Sequence, residues 1–177
     1  GALAFAMNAG MYDKALKPIG LYVEDGLQQK RINRRDGPGN FHLKPNGVFY
    51  IAGTTAGVLE TEAYIKAAPR AGYATQSGPM LVIDGRIHPK FTVGGTSRQR
   101  RNGVGVADAH TVVFAISEDY VNFHSFARLF RDHLNCLMNP VFRIGCRISL
   151  QSPADIPMRW LLGMLNAEDQ RVMNIRR

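Results

Sequence analysis

Short apolar stretches alternate with polar ones along this chain, and most of them break at a Gly-containing turn. Leu21 to Val23 and Leu27 to Ile32 flank Asp25-Gly26, a pair suited to the positive φ angles of a tight hairpin turn. The run "FHLKPNGVFYIAG" predicts a second hairpin turning at Pro45-Asn46-Gly47, with His42 alternating between Phe41 and Leu43 on its first strand. "MLVIDGRIHP" predicts a third, turning at Asp84-Gly85, and "VGVADAHTVVFAIS" predicts two strands around Asp108-Ala109. At the start, "LAFAMNAGMY" predicts a strand that ends at Asn8. Helical spacing is clearest in "NFHSFARLFRDHL": Phe123, Phe126, Ala127, Phe130 and Leu134 share one face behind an Asn122 N-cap. "TAGVLETEAYIKAA" predicts an earlier helix, supported by Glu62 and Lys66 four residues apart and closed by Pro69. Beyond residue 138, "NPVFRIGCRISL" predicts a strand and turn, and "PMRWLLGMLNAEDQRVM" has helical spacing. Three loops carry the remaining polar residues: "NRRDGPGN", Gln76-Ser77-Gly78-Pro79 and "TVGGTSRQRRNG". Hairpins with a few helices predict an α+β fold: a mixed, largely antiparallel sheet with flanking helices.

Length and composition narrow this only a little. The 177 residues suffice for a single domain with a core, and 45% are hydrophobic, which argues against global disorder. No apolar run reaches the roughly 18 residues of a membrane span, and no signal peptide is visible. The apolar opening predicts a chain that begins inside a domain and lacks its N-terminal part. The net charge of +8 favours an anionic partner. Its distribution argues against nucleic acid, because no aromatic-and-basic stripe runs through the sequence. Basic residues gather instead at Lys30, Arg31, Arg34 and Arg35, at Arg98, Arg100 and Arg101, and beyond Arg128. Cys136 and Cys146 lack paired zinc-site spacing and read as semi-buried thiols, with a disulfide between them the alternative in an oxidising compartment.

Most familiar chemistries are missing from the sequence. The five histidines form no HExxH, there is no GxSxG elbow, and "GGTSRQ" and "GVGV" have neither phosphate-loop spacing. What remains is a polar set at strand ends: Asn8, then Gln76 and Ser77, then Arg101 and Asn102. Amides both donate to and accept from sugar hydroxyls, and Arg grips phosphate with two parallel bonds. If the three strands are neighbours, this set suits a sugar-phosphate. The alternative is that Arg98, Arg100 and Arg101 form a solvated basic loop.

Five blocks in order, "FAMNAGMY", "GNFHLKPNGVFYI", "ATQSGPMLVIDGRIHPKF", "RRNGVGV" and "VVFAIS" with "VNFHSFARLFRDHL", resemble the phosphodiester glycosidase family over roughly residues 3–135. The likeness is to the domain of the lysosomal uncovering enzyme and its exopolysaccharide-biosynthesis-like bacterial branch. It implies hydrolysis of a sugar phosphodiester or related glycosidic bond, a sugar-phosphate or polysaccharide ligand, and a periplasmic or extracellular setting. No cofactor is expected from the sequence, and no metal-ligand pair stands out in it. By motif the resemblance implies catalytic roles for Asn8, Gln76 and Arg101, with Arg101 on the phosphate and the two amides on sugar hydroxyls or a water. It implies substrate contacts from Gly10, Ser77, Gly78, Pro79 and Asn102. After the Phe-rich helix the resemblance stops, and residues 136–177 read as a divergent segment. There the family's Asp-Gly position falls on Ile144-Gly145, and isoleucine cannot supply the carboxylate that glycoside hydrolysis commonly uses. Two explanations stand side by side: a divergent tail on a non-catalytic carbohydrate-binding relative, or a reading frame shifted near Cys136.

Overall fold

The computed structural model describes residues 10–134, 136 and, as backbone, 141–145. The expected first strand with Asn8, Cys146 and the helical run after residue 157 lie outside these residues. In chain order the elements are β1 (Tyr22–Glu24), β2 (Leu27–Lys30), a 3-10 turn (Asn40–His42), β3 (Gly47–Ala52), β4 (Thr55–Glu60) and α1 (Thr61–Ala67). There follow β5 (Tyr73–Ser77), β6 (Met80–Ile83), β7 (Arg86–Ile87), β8 (Asn102–Asp108), β9 (Thr111–Ile116), α2 (Phe123–Arg128) and β10 (Val141–Gly145). A π-helical turn, Leu129–His133, extends α2.

The α+β expectation holds, and the hairpins divide between two five-stranded antiparallel sheets. One has the order β2-β1-β5-β3-β4, the other β7-β6-β10-β8-β9. Alternation along each strand explains the layers, since successive side chains point to opposite faces. Phe49 and Val58 of the first sheet meet Met80, Val104 and Val106 of the second in a shared inner core. Phe49 and Phe114 close it edge to face, with ring centres 6.0 Å apart. On the outer face of the first sheet, Val23, Val48 and Ala74 join Leu21, with Tyr64 of α1 packed against them. On the outer face of the second, Leu81 packs with Phe126, Ala127, Phe130 and Leu134, in a cluster that also takes in Val82. A Cβ on Gly103 would stand 3.1 Å from Phe126 and 3.2 Å from Phe130, so this glycine lets the helix lie close on β8.

The Asp25-Gly26 and Asp84-Gly85 turns form as the sequence predicts, all four residues having positive φ. Four other expectations are corrected. The second hairpin turns at Gly53-Thr54, not at Pro45-Asn46-Gly47, because β3 pairs with β4 from Gly47↔Glu60 to Ala52↔Thr55. Phe41 and His42 belong to the 3-10 turn, which drives Phe41 into the interior. "TAGVLE" is strand β4 rather than helix, since Val58 pairs with Phe49 and is buried in the inner core. The helix is only α1, and Glu62 pairs with Arg34 at 2.8 Å, so Lys66 is not its partner in an ion pair.

Candidate functional site

Gln76 and Ser77 are the last residues of β5, not a loop. The chain then passes from one sheet to the other through two residues, Gly78 and Pro79, joined by a cis peptide bond. Register places this link at one end of the sandwich. Ser77 pairs with Gly47, Met80 with Phe142, Phe142 with Val104, and Gly145 with Asn102. The end of β5, the start of β6, the end of β10 and the start of β8 therefore gather at the same edge. The position where an acid was expected, residue 144, precedes the partner of Asn102 on that edge. Gly10 belongs to the same neighbourhood: a Cβ there would overlap Thr75 Oγ1 and stand 3.5 Å from the carbonyl oxygen of Gln76. Asn8 lies outside the described residues.

Gln76 is buried, and its carboxamide is committed to protein partners. Its Oε1 accepts from the amides of Leu21 (3.1 Å) and Asn33 (2.8 Å). Its Nε2 donates to the carbonyl of Asn33 (2.8 Å) and to Thr61 Oγ1 (3.0 Å). An amide offers two donor hydrogens and two acceptor lone pairs, so this set fills it. The network continues inward. Thr61 Oγ1 donates to Asn46 Oδ1 at 2.8 Å, and Asn46 Nδ2 donates to the carbonyl of Phe41 at 3.2 Å. Asn33, Asn46 and Thr61 escaped the sequence reading, having been taken as loop, turn and helix residues. Only the pairing of Gly47 with both Glu60 and Ser77 brings Asn46 and Thr61 beside Gln76.

Ser77 behaves differently from its neighbour. Its side chain is fully buried, and its Oγ has no hydrogen-bond partner among the described residues. The next residue leaves no room: a Cβ on Gly78 would lie 2.6 Å from the Phe41 carbonyl oxygen, 3.0 Å from Asn46 Cβ and 3.1 Å from the Asn40 carbonyl oxygen. The close approach of the 3-10 turn to the link thus requires glycine.

Arg101 and Asn102 are both buried but turn to different sides. Asn102 begins β8 in phase with Val104 and Val106, whose side chains enter the inner core. Arg101 turns toward α2. Its guanidinium carbon lies 3.6 Å from the centre of the Phe123 ring. Its Nε donates to the carbonyl of Val121 at 2.8 Å and an Nη donates to the carbonyl of Ser97 at 2.5 Å. The guanidinium therefore ties the loop before β8 to the start of α2, and these contacts do not bring it to the face that carries Ser77. Arg98 and Arg100 are exposed, and Arg100 stacks over Tyr120 at 5.7 Å.

Two carboxylates near this end are already engaged. Glu60 shares a row across the first sheet with Gly47 and Ser77, but its Oε2 caps α1 through the amides of Glu62 (2.7 Å) and Ala63 (3.1 Å). Asp36 is held below its ordinary pKa, first by a hydrogen bond from Lys44 and then by the Lys44 charge. No group of three or more His, Cys, Asp or Glu among the described residues is placed to hold a metal. A separate groove of about 720 Å³ lies between the β1–β2 hairpin and α1, lined by Asp25, Gln28, Tyr64 and Arg70 among others. Neither Gln76, Ser77, Arg101 nor Asn102 lines it.

The sequence profile of the phosphodiester glycosidase family matches residues 2–138. The chain belongs to the phosphodiester glycosidase family. It is also similar to the uncharacterised protein YigE of Escherichia coli (strain K12), with 40% identity over 135 residues. That match covers 76% of this chain and 53% of YigE, so the chain spans about half the length of this relative. The phosphodiester glycosidase match takes in the link, the Gln76 network and the start of β8. It ends before β10, the strand that completes the edge beside Asn102.

Proposed function

We propose that this end of the sandwich binds a sugar phosphodiester and that the protein hydrolyses its glycosidic bond. The observation that carries the reading is the Ser77 hydroxyl, buried at the crossing between the sheets with no partner among the described residues. A buried polar group left unsatisfied costs about 1–3 kcal/mol, so such a group points to a ligand atom that would satisfy it. Family membership supports hydrolysis, and a saccharide supplies hydroxyls of the right kind. Asn102, at the other side of the β10 end, is the second contact in this reading. Gln76 and Arg101 act through the chain segments they hold, which makes them positioning residues here.

A second reading, binding without turnover, draws on Ile144. An apolar residue stands where the family resemblance leads one to expect an acid, at the same edge as Asn102.

Turnover of a sugar 1-phosphate methyl diester separates the two. Under the first reading the protein releases the sugar, and Ser77→Ala lowers kcat/KM by about a hundredfold, the scale of one lost site donor. Ser77 gives up no described hydrogen bond, so the same variant keeps its unfolding midpoint. Binding of the diester without release favours the second reading. An unchanged kcat/KM in Ser77→Ala removes Ser77 from the site.

A further inference from the structure

In the loop between β2 and the 3-10 turn, Asn33, Arg34 and Arg35 are pinned one after another, yet the loop's arginines face solvent. At Asn33, Gln76 holds both the amide and the carbonyl, each at 2.8 Å, and Asn33 Nδ2 donates to the carbonyl of Ile19 at 3.0 Å. At Arg34, the carbonyl accepts from Lys44 Nζ at 3.1 Å. At Arg35, the amide donates to Asn33 Oδ1 and the carbonyl accepts from His42 Nδ1, each at 3.0 Å. An exposed loop gains little from such fixing for its own sake, because ordering backbone costs entropy. Fixing does pre-position the side chains it carries.

Those side chains are cationic. Two of the positive charges here have carboxylate partners: Arg34 meets Glu62 at 2.8 Å and Lys44 meets Asp36 at 2.7 Å. Lys30, Arg31 and Arg35 are exposed and have no ion pair among the described residues. The loop runs on into the 3-10 turn, whose Phe41 and Asn40 carbonyl oxygens stand 2.6 and 3.1 Å from where a Gly78 Cβ would be. The pinned loop and the crossing at Ser77 are thus one continuous structure, joined at Gln76 on one side and Gly78 on the other.

We propose that Arg31 and Arg35 on the loop held by Gln76 recognise the phosphate charge of the ligand. This rests on the reading of the Ser77 edge as a sugar-phosphodiester site. Arg suits the task because its planar fork can donate two parallel bonds to phosphate oxygens. Gln76, on this account, fixes where the fork stands. Both arginines are exposed, so removing them leaves the core intact.

The test measures binding of two probes to the protein by calorimetry: a sugar 1-phosphate methyl diester, and the neutral methyl glycoside of the same sugar. In Arg31→Ala/Arg35→Ala the diester is expected to bind about tenfold more weakly, with a shallower dependence on salt, since exposed charge contacts are individually modest and screened. The neutral glycoside is expected to bind as tightly as before. Equal loss for both probes, or no loss for either, overturns the role of the loop while leaving the Ser77 site standing. If the unsubstituted protein binds neither probe, the site reading falls and takes this inference with it.

Discussion

Gln76→Leu is expected to cost about 4 kcal/mol of stability, the upper range for a point substitution that breaks a buried hydrogen-bond network. Leucine fills much of the same space but strands the amides of Leu21 and Asn33 and the carbonyl of Asn33 together, and takes one donor from the Thr61 hydroxyl, which keeps its bond to Asn46. The residues tied by this one side chain lie 15, 43 and 55 positions away, so no local structure compensates for its loss. Against a typical net stability of roughly 5–15 kcal/mol, the change consumes a large share of what holds the fold. Urea unfolding measures it directly. A loss below about 1 kcal/mol, the worth of one ordinary hydrogen bond, would mean that the carboxamide does not act as a clamp. The contrast with Ser77→Ala is part of the expectation. Adjacent and equally buried residues give opposite results because one is fully partnered and the other is not.

Arg101→Ala is expected to destabilise by about 3–4 kcal/mol, through lost bonds to buried carbonyls, lost stacking and the cavity left behind. The sequence alone suggests otherwise: a phosphate clamp whose removal abolishes binding and spares the fold. The structure spends Nε on Val121, one Nη on Ser97 and the guanidinium face on Phe123. Arg101→Lys is not expected to restore stability, since a compact ammonium cannot reproduce the fork and the stack together. Chemical denaturation of both variants, paired with ligand binding, decides the matter. An Ala variant that unfolds at the original midpoint and no longer binds the diester would return Arg101 to the ligand.

Much of the architecture is legible before any coordinates. Asp-Gly pairs announce two of the hairpin turns, because few residues tolerate positive φ at both positions. The Phe periodicity announces α2, and its Asn122 Oδ1 does accept from the Ser125 amide at 2.8 Å. The misreadings share a cause. "TAGVLE" and Asn46-Gly47 look helical and turn-like over four or five residues, and only pairing with β3 makes one a strand and the other its approach. The site suffers the same limit more severely. An amide that could hold a sugar hydroxyl can equally hold the chain, and nothing in "TQSGP" distinguishes Gln76 from Ser77 in this respect. The partners decide, and they come from Leu21, Asn33 and Thr61, which carry no local signal. The basic loop was visible as charge, but its connection to the link was not.

Mapping where the ligand sits tests the central claim most directly. Backbone amide shifts of isotopically labelled protein, titrated with a sugar 1-phosphate methyl diester, report each position separately. The expected result is that the largest changes fall on Ser77, Gly78, Met80, Asn102 and Gly103, with a second set over Arg31 to Arg35. Changes confined to the groove lined by Gln28, Tyr64 and Arg70, with none at Ser77 or Asn102, would contradict it.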